Sequence, residues 1–311
     1  MTSPDYLLEE RADRRERPVT APRLLRVGSY NVMDGGGEDR WPAQVSMLAE
    51  QDLDILGIQE AKHWDRSGRA RVHLTAQALG MQALFAPSQH HGCHLVLLYR
   101  WPEVSCLAFD PDISAGVFHH AASRAKFAVD GIDEPLWVIH THLHPFSPSA
   151  RLTEAGWLTE YAAPSHLSLI IGDLNSGGLT STGADREPDD WDLVPAHLHS
   201  RHRLVLPDGT YGGSDRRAMS ALARAGFVDP PQHLDIDPAR TAGHWGRGSE
   251  PWDRRSDHVL PSPRMAPALQ GHIVLDTPET RLLSDHLPVI DLFDVAEHRR
   301  LTPLNSAVAP C

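Results

Sequence analysis

Residues 167–175 read LSLIIGDLN, an apolar run that ends in the polar residues Asp173 and Asn175. A short apolar segment of this kind predicts a buried β-strand, and the polar pair marks its carboxyl end. Three other segments follow the same pattern: LLRVGSYNV (24–32), LDILGIQE (53–60) and LWVIHTHL (136–143). Further strand-like segments are MQALFAP (81–87), CHLVLLYR (93–100), AKFAV (125–129), DHVLPS (257–262), GHIVLD (271–276) and LPVIDLF (287–293). The sequence therefore predicts a set of buried strands with polar side chains gathered at one edge.

Helical segments alternate with these strands. The spacing of apolar residues predicts helices around residues 41–51, 69–80, 150–162 and 216–226. Interleaved strands and helices indicate an α/β protein in which two packed sheets carry helices on their outer faces. We expect a flexible leader over residues 1–22, a single catalytic domain over residues 23–296 and a C-terminal tail over residues 297–311.

Composition limits the classes of function. The 311-residue chain has a formal net charge of -12, which disfavours nonspecific DNA binding because nucleic-acid recognition normally draws on a basic face. Its three cysteines, Cys93, Cys106 and Cys311, lack metal-ligand spacing, which argues against a zinc ribbon or a disulfide framework. The sequence shows neither a membrane-spanning run nor a signal-peptide pattern. We therefore expect a cytoplasmic protein with no membrane association and no obligate protein partner.

The candidate site consists of polar residues that follow apolar runs. Carboxylate and amide oxygens are the ligands that Mg²⁺ and Mn²⁺ prefer, while a free carboxylate and histidines can transfer protons. Such a combination is suited to hydrolysis at phosphorus. The candidates are Asn31, Glu60, His142, Asp173, Asn175, Asp257, Asp285 and His286.

Each candidate taken alone also has a purely structural interpretation. Asn31 and Asn175 are common turn residues after strands, Glu60 is compatible with a helix start, and His142 with a satisfied strand-end histidine. The functional interpretation therefore depends on the whole set and its order.

Five short motifs occur in a fixed order: SYNV (29–32), IQE (58–60), THL (141–143), GDLN (172–175) and SDHLPV (284–289). They resemble the motif series of the endonuclease/exonuclease/phosphatase superfamily, which includes deoxyribonuclease I, abasic-site nucleases of the exonuclease III type, sphingomyelinases and inositol polyphosphate 5-phosphatases. The resemblance spans residues 24–294. It implies a four-layered α/β/β/α sandwich of two packed mixed β-sheets flanked by helices, and a metal-dependent hydrolase of phosphate esters.

The resemblance also implies metal ligands and residues that act on water. Glu60 would be the main ligand of Mg²⁺ or Mn²⁺, with Asn31 beside it and Asp285 contributing directly or through water. Asp173 would position or deprotonate the attacking water, and Asn175 would bind the pentacovalent centre.

Three further residues would act on the phosphate itself. By resemblance, His286 would contact the scissile phosphate and Asp257 would orient it, although His258 stands where the family usually has an aromatic residue. His142 would lie on the other side of the phosphate, near the leaving group. His140 is a second choice on the same strand face, because only His142 directly precedes Leu143.

The substrate is less sharply indicated. Arg66 and Arg69 follow Glu60 in a locally basic segment, and they are candidates, together with Arg124, for binding a second anionic group. A solvated helix start is the alternative interpretation of that segment. The excursion over residues 176–210 carries six acidic residues, and we expect it to border the cleft and repel a long polyanion.

These charges favour a small or single-stranded phosphorylated substrate. One alternative is a nuclease acting on duplex DNA or RNA. Another, from a different class, is a catalytically silent scaffold that binds a phosphorylated ligand or partner.

Two histidine clusters fall in connections expected to frame the cleft. His90, His91 and His94 form the first, and His119 with His120 forms the second. Their spacing does not match a tetrahedral zinc site, and we predict that they are exposed loop histidines.

Overall fold

The computed structural model describes residues 24–37, 39–246 and 252–296. The predicted leader (1–22) and tail (297–311) lie outside the described residues. The strands are β1 (Leu24–Asn31), β2 (Ile55–Gln59), β3 (Gln82–Ala86), β4 (Leu95–Tyr99), β5 (Val104–Asp110), β6 (Ala121–Val129), β7 (Leu136–His142), β8 (Ser168–Asp173), β9 (Arg203–Val205), β10 (Tyr211–Ser214), β11 (Asp257–Pro261), β12 (Leu269–Val274) and β13 (Val289–Asp294).

Helices connect many of these strands. The α-helices are α1 (Met33–Gly36), α2 (Trp41–Ala49), α3 (Arg66–Leu79), α4 (Pro148–Leu158), α5 (His199–His202), α6 (Arg217–Ala225) and α7 (Pro230–His233). Short 3₁₀ helices span Thr159–Ala162, Gly183–Asp185, Trp191–Leu193, Ala196–Leu198, Ala266–Ala268 and Thr280–Leu282. No helix in the described part of the chain is long and apolar enough to cross a membrane.

The strands form two mixed sheets and a separate hairpin. The first sheet has the strand order β12-β13-β1-β2-β4-β3, and the second has the order β11-β8-β7-β6-β5. The β1–β2 and β7–β8 pairs are parallel, whereas the other neighbouring strands run antiparallel. Strands β9 and β10 form the hairpin.

Apolar side chains fill three layers between and outside the sheets. The two sheets face each other through residues such as Val27, Ile55 and Phe127. The outer face of the first sheet packs on α2 and α3, where Val45 is buried, and that of the second sheet packs on α4 and α6, where Leu222 is buried. The predicted four-layered arrangement is confirmed.

Strand register brings the polar strand ends together. Asn31 pairs with Gln59 in the parallel β1–β2 ladder, so Glu60 follows directly at the same edge. In the second sheet Asp173 pairs with His142 on one side and with Asp257 on the other. Residues far apart in sequence therefore lie side by side.

Two parts of the chain differ from the sequence prediction. Strand β5 was not predicted, because this edge strand is partly exposed and lacks clear alternation of apolar and polar residues. The excursion over residues 176–210, predicted as an irregular surface segment, contains α5, β9 and three 3₁₀ helices, because its apolar residues Val194 and Leu198 are buried.

We predict that Gly172→Ala destabilises the protein and displaces Asp173. Gly172 has a φ of 148°, and a Cβ atom there would lie 1.8 Å from the carbonyl oxygen of Thr141 on the paired strand. The free energy of unfolding, measured by urea denaturation, should fall by more than about 1 kcal/mol.

Gly156→Ala is the matched control. A Cβ atom at Gly156, within α4, would meet no atom within 4 Å, and alanine favours a helix. This variant should be as stable as the wild type or slightly more so. Equal stability of the two variants would contradict the steric argument.

Candidate active site

The Asp173 carboxylate, at the end of β8, lies at the centre of a cleft. It is 2% exposed, and its Oδ1 accepts hydrogen bonds from Ser256 Oγ at 2.5 Å and from the Asn175 backbone N–H at 2.9 Å. Its Oδ2 accepts one from Asn31 Nδ2 at 3.1 Å. Burial alone would raise the pKa of Asp173, but two nearby histidines and these hydrogen bonds lower it below its usual value. Asp173 is therefore ionised at neutral pH.

Asn31 and Glu60 connect the other sheet to this carboxylate. Besides its bond to Asp173, Asn31 Nδ2 donates to Glu60 Oε1 at 3.3 Å. Glu60 Oε2 accepts a hydrogen bond from the backbone N–H of Asp34 at 3.1 Å. One amide group therefore bridges two carboxylates that belong to different sheets.

His286 and Asp257 form a hydrogen-bonded pair beside Asp173. His286 Nδ1 lies 2.8 Å from Asp257 Oδ2, and His286 Nε2 lies 3.8 Å from Asp173 Oδ2. Burial alone would lower the pKa of His286, but the charges of Asp257 and Asp173 raise it well above its ordinary value. The two carboxylates therefore favour the protonated imidazole, with Nδ1 donating to Asp257.

Of the two histidines on β7, His142 lines the cleft. Its Nε2 lies 3.4 Å from Asp173 Oδ2, and its Nδ1 has no hydrogen-bond partner among the described residues. His140 lies beneath the cleft, with Nε2 2.8 Å from Gln59 Nε2, and burial lowers its pKa to about 3. His142 rather than His140 therefore lines the cleft, and its role stays a prediction.

The oxygen donors at the cleft fit a hard divalent cation. Glu60 and Asp285 line the same cleft, and the Asn31 side chain contacts Glu60. Glu60 forms no ion pair with a basic side chain in the described part of the protein, so its charge is available to a cation. Carboxylate oxygens are donors that suit Mg²⁺ or Mn²⁺. The Asn31 amide turns its N–H group toward Glu60, and its oxygen accepts a hydrogen bond from the Met33 N–H at 3.0 Å.

A second group also lies close enough to hold a metal ion. It consists of Asp173, Asp257 and His286. However, Asp257 and His286 already engage each other in a hydrogen bond, and a mixed nitrogen and oxygen set suits transition metals better than Mg²⁺. The donor set at Glu60 and Asp285 therefore fits Mg²⁺ or Mn²⁺ better.

Known structures share this architecture, although no protein-family model and no curated protein matches the chain in sequence. An AP endonuclease from Archaeoglobus fulgidus is similar, with 21% identity and a TM-score of 0.59 over 87% of this chain and 99% of that one. An endonuclease/exonuclease/phosphatase family protein from Bacteroides thetaiotaomicron has 17% identity and a TM-score of 0.59 over 89% and 98%. A mannosyl-6-phosphatase from the same organism has 16% identity and a TM-score of 0.56 over 86% and 99%.

These matches extend over nearly the whole described chain. The chain has the endonuclease/exonuclease/phosphatase fold. The fold implied by the five sequence motifs is thereby confirmed, and the cleft lies at the strand edge where those motifs end.

A cluster of ring contacts forms a histidine wall beside the cleft in this endonuclease/exonuclease/phosphatase fold. Its members are His91, His119, His120, His142 and His144, of which His91, His120 and His142 line the cleft. The ring of His120 lies 4.3 Å from that of His142, and the ring of His119 lies 4.7 Å from that of His120. Burial and then the neighbouring imidazoles lower the pKa of His119 to about 4 and also lower that of His120. His90 and His91 are exposed, as expected, whereas His94 and His119 are only partly exposed and the predicted exposure of His120 is wrong. The lowered pKa values favour neutral rings at His119 and His120.

Sequence reasoning missed three residues that line the cleft: Phe146, Arg201 and His202. The Arg201 guanidinium lies 4.7 Å from the Phe146 ring and forms no ion pair with a carboxylate of the described residues. Phe146 lies in the connection after β7, and Arg201 and His202 lie in the short helix α5, where the sequence has no recognisable motif. The only sequence signal was an aromatic residue, Phe146, four positions after His142.

The arginines proposed from sequence as anion ligands lie elsewhere. Arg66 and Arg69 are exposed and do not line the cleft. Arg124 projects from the outer face of its sheet, where it donates to Tyr161 Oη at 3.3 Å and lies 5.0 Å from the Trp137 ring. Alternation along β6 explains this position, because the neighbouring Ala125 faces the other sheet. The structure does not bring these arginines to the cleft.

The acidic excursion does not form an acidic wall. Asp185 is 1% exposed, and its two oxygens each accept a hydrogen bond from Arg255 at 2.8 Å. Glu187 accepts hydrogen bonds from β10. The members of this segment that line the cleft are Arg201 and His202. Neither of these two residues is acidic. The expectation that the excursion places negative charge at the cleft is therefore wrong.

Glu154, in α4, fixes the backbone at two points of the histidine wall. Its Oε1 accepts a hydrogen bond from the His119 N–H and its Oε2 accepts one from the His144 N–H, both at 2.6 Å. Burial raises the pKa of Glu154 to about 7, although both hydrogen bonds oppose that change. Sequence reasoning missed this residue because it belongs to no motif.

We predict that Glu154→Gln destabilises the protein at pH 8. Glutamine offers one oxygen to two N–H donors and turns its own amide toward the second, so one buried donor loses its partner. The free energy of unfolding should fall by about 1–3 kcal/mol in urea denaturation. Glu160→Gln, at an exposed position shortly after α4, should match the wild type. Equal stability of both variants would show that Glu154 does not hold the wall.

Proposed function

We propose that the protein is a divalent-metal-dependent phosphoesterase that hydrolyses a phosphate ester by direct attack of water. The observation that carries this proposal is the convergence of distant residues on one cleft. Asn31 and Asp257 hydrogen-bond to members of the cleft lining. The lining includes Glu60, His142, Asp173, Asn175, Asp285 and His286.

Similar structures support the reaction class. They are named as an AP endonuclease and a mannosyl-6-phosphatase, so proteins of this fold include both an endonuclease and a phosphatase. Function depends on the site rather than on the fold, and every residue of the motif series is present here.

Glu60, Asp285 and the Asn31 amide are the residues that would hold Mg²⁺ or Mn²⁺. When bound, the ion would neutralise a nonbridging phosphate oxygen and stabilise charge on the leaving oxygen. Asp173 Oδ2 would accept a hydrogen bond from the attacking water, because Oδ1 is already occupied by Ser256 and by a backbone N–H.

The two histidines would act on the phosphate from either side of Asp173. His286, cationic through Asp257, would donate a hydrogen bond from Nε2 to a phosphate oxygen. His142 would deliver a proton to the leaving oxygen as the ester P–O bond breaks and the bond from water to phosphorus forms. Asn175 lines the same cleft and would hydrogen-bond the pentacovalent centre.

A small or single-stranded phosphorylated substrate fits the charge of the cleft better than a duplex. Lys62 and Arg201 are its permanently cationic lining residues in the described chain, and Lys62 is paired with Asp34. Proteins that grip duplex DNA neutralise several phosphates at once. The net charge of -12 supports the same choice.

We predict hydrolysis of phosphate esters that requires Mg²⁺ or Mn²⁺ and stops with EDTA. A panel should include sugar phosphates, inositol phosphates, and single-stranded and duplex nucleic acids. Asp173→Asn should lower turnover by about 10²- to 10⁴-fold, because the water loses its charged acceptor. Asp237→Asn, at an exposed position before β11, should not change it.

Two outcomes would contradict this choice of function. Tight binding of a phosphorylated compound with no turnover under any metal would indicate a silent scaffold. Preferential cleavage of duplex DNA or RNA would establish the nuclease alternative.

We also predict that Asp257→Asn separates turnover from metal binding. Asparagine keeps the shape of the side chain but removes the charge that holds His286 protonated. Turnover should fall about 10²-fold or more, while Mn²⁺ affinity measured by calorimetry should stay close to that of the wild type. An unchanged rate would remove Asp257 from the catalytic pair, and lost Mn²⁺ binding would place it at the metal instead.

A further inference from the structure

A second, smaller pocket adjoins the cleft. Asn175 and His202 line both cavities, so the two cavities are neighbours. The second pocket has a volume of about 30 Å³, roughly twice what one water needs, which suits a small oxyanion but not a sugar or a base. Four arginines line it: Arg151, Arg186, Arg216 and Arg254.

The two carboxylates of this pocket bind arginines that lie outside it. Asp185 accepts hydrogen bonds from Arg255 at 2.8 Å, and the same guanidinium donates to Asp229 at 2.7 Å. Asp215 accepts hydrogen bonds from Arg217 at 2.6 and 2.9 Å. Neither Arg255 nor Arg217 lines the pocket. Arg217 offsets the charge of Asp215 and Arg255 offsets one of the charges of Asp185 and Asp229, so one carboxylate charge remains beside the lining arginines.

Neutral carbonyl groups hold two of the lining arginines in place. Arg151 is 2% exposed and donates to the carbonyl oxygens of His144 at 3.0 Å and of Arg201 at 2.9 Å. Arg216 donates to the carbonyl oxygens of Gly178 at 3.1 Å and of Thr180 at 2.7 Å, and an exposed carboxylate, that of Glu187, lies 3.6 Å away. Carbonyl groups orient a guanidinium without cancelling its charge.

Arg186 completes the pocket from the solvent side. It is exposed, and its side chain forms no hydrogen bond or ion pair within the described residues. Burial, followed by the nearby charge of Arg254, lowers the pKa of the Arg151 guanidinium to about 10. Like charges held together in this way would be relieved by a bound anion.

We propose that this pocket binds a second phosphate group of the substrate while the first lies beside Asp173. Guanidinium groups bind phosphate through paired, charge-assisted hydrogen bonds, and several of them around one small cavity select a polyvalent oxyanion. The preferred substrate class is then a phosphate ester that carries another phosphate a short distance away. The role of the pocket in substrate choice rests on the proposed hydrolysis, whereas the binding of phosphate by the pocket does not.

The binding test uses inorganic phosphate and the full chain in EDTA, measured by isothermal titration calorimetry. Wild type should bind phosphate, and Arg186→Gln should weaken the affinity at least about tenfold, because one charge-assisted contact is lost. Arg224→Gln, an exposed arginine of α6 that lines neither cavity, should not change it. Arg201→Gln, in the cleft alone, should weaken binding less than Arg186→Gln.

Circular dichroism and thermal melting should show that the variants are folded. No phosphate binding, or equal binding by wild type and Arg186→Gln, would overturn the proposal. A larger loss in Arg201→Gln than in Arg186→Gln would place the phosphate in the cleft and also overturn it.

The substrate test compares a nucleoside 3′,5′-bisphosphate with the corresponding 3′-monophosphate. Arg186→Gln should lower kcat/KM for the bisphosphate at least about tenfold more than for the monophosphate, mainly through KM. Equal losses of kcat/KM for the two compounds would overturn the proposal that the pocket binds a phosphate group of the substrate. Failure of the proposed function is distinguishable, because neither compound would then be hydrolysed while calorimetry would still decide whether the pocket binds phosphate.

Discussion

The buried negative charge of Asp173 is the constraint on which the cleft depends. A carboxylate at 2% exposure would cost several kcal/mol if it lacked compensating partners. Asn31 supplies a hydrogen bond from the first sheet, while Asn175 and Ser256 supply two from the second. The same carboxylate thus connects the polar edges of both sheets. Its hydrogen bonds form only in the strand register that also brings the site residues together.

The histidines around Asp173 differ in the direction of their pKa shifts. His286 is held between two carboxylates, so its pKa is raised, whereas burial and neighbouring imidazoles lower the pKa values of His119 and His120. A positive charge is therefore favoured beside Asp173, and neutral rings are favoured at His119 and His120. Neutral rings add nothing to the electrostatic attraction for a long polyanion.

The strand ends could be predicted from sequence because a buried strand leaves a local signature. A polar residue directly after an apolar run, as at Asp173 or Glu60, does not contribute to an apolar core. It therefore marks the end of the buried strand. The surroundings could not be predicted in this way. In the sequence, Asp185 is indistinguishable from an exposed acidic residue, because its partner Arg255 is 70 residues away. Arg124 was predicted at the cleft because no local pattern shows which face of β6 it occupies.

The proposed reaction site and the proposed phosphate pocket are built from different parts of the chain. The residues around Asp173 are fixed by ladder hydrogen bonds between strands, so their positions tolerate little change. The arginine pocket is built mainly from connections, which can exchange side chains without disturbing the sheets. Arg151 links the two regions, since it donates to the backbone carbonyl of Arg201, whose own side chain lines the cleft. A shift of that connection would alter both cavities, whereas a substitution at the exposed Arg186 would alter one.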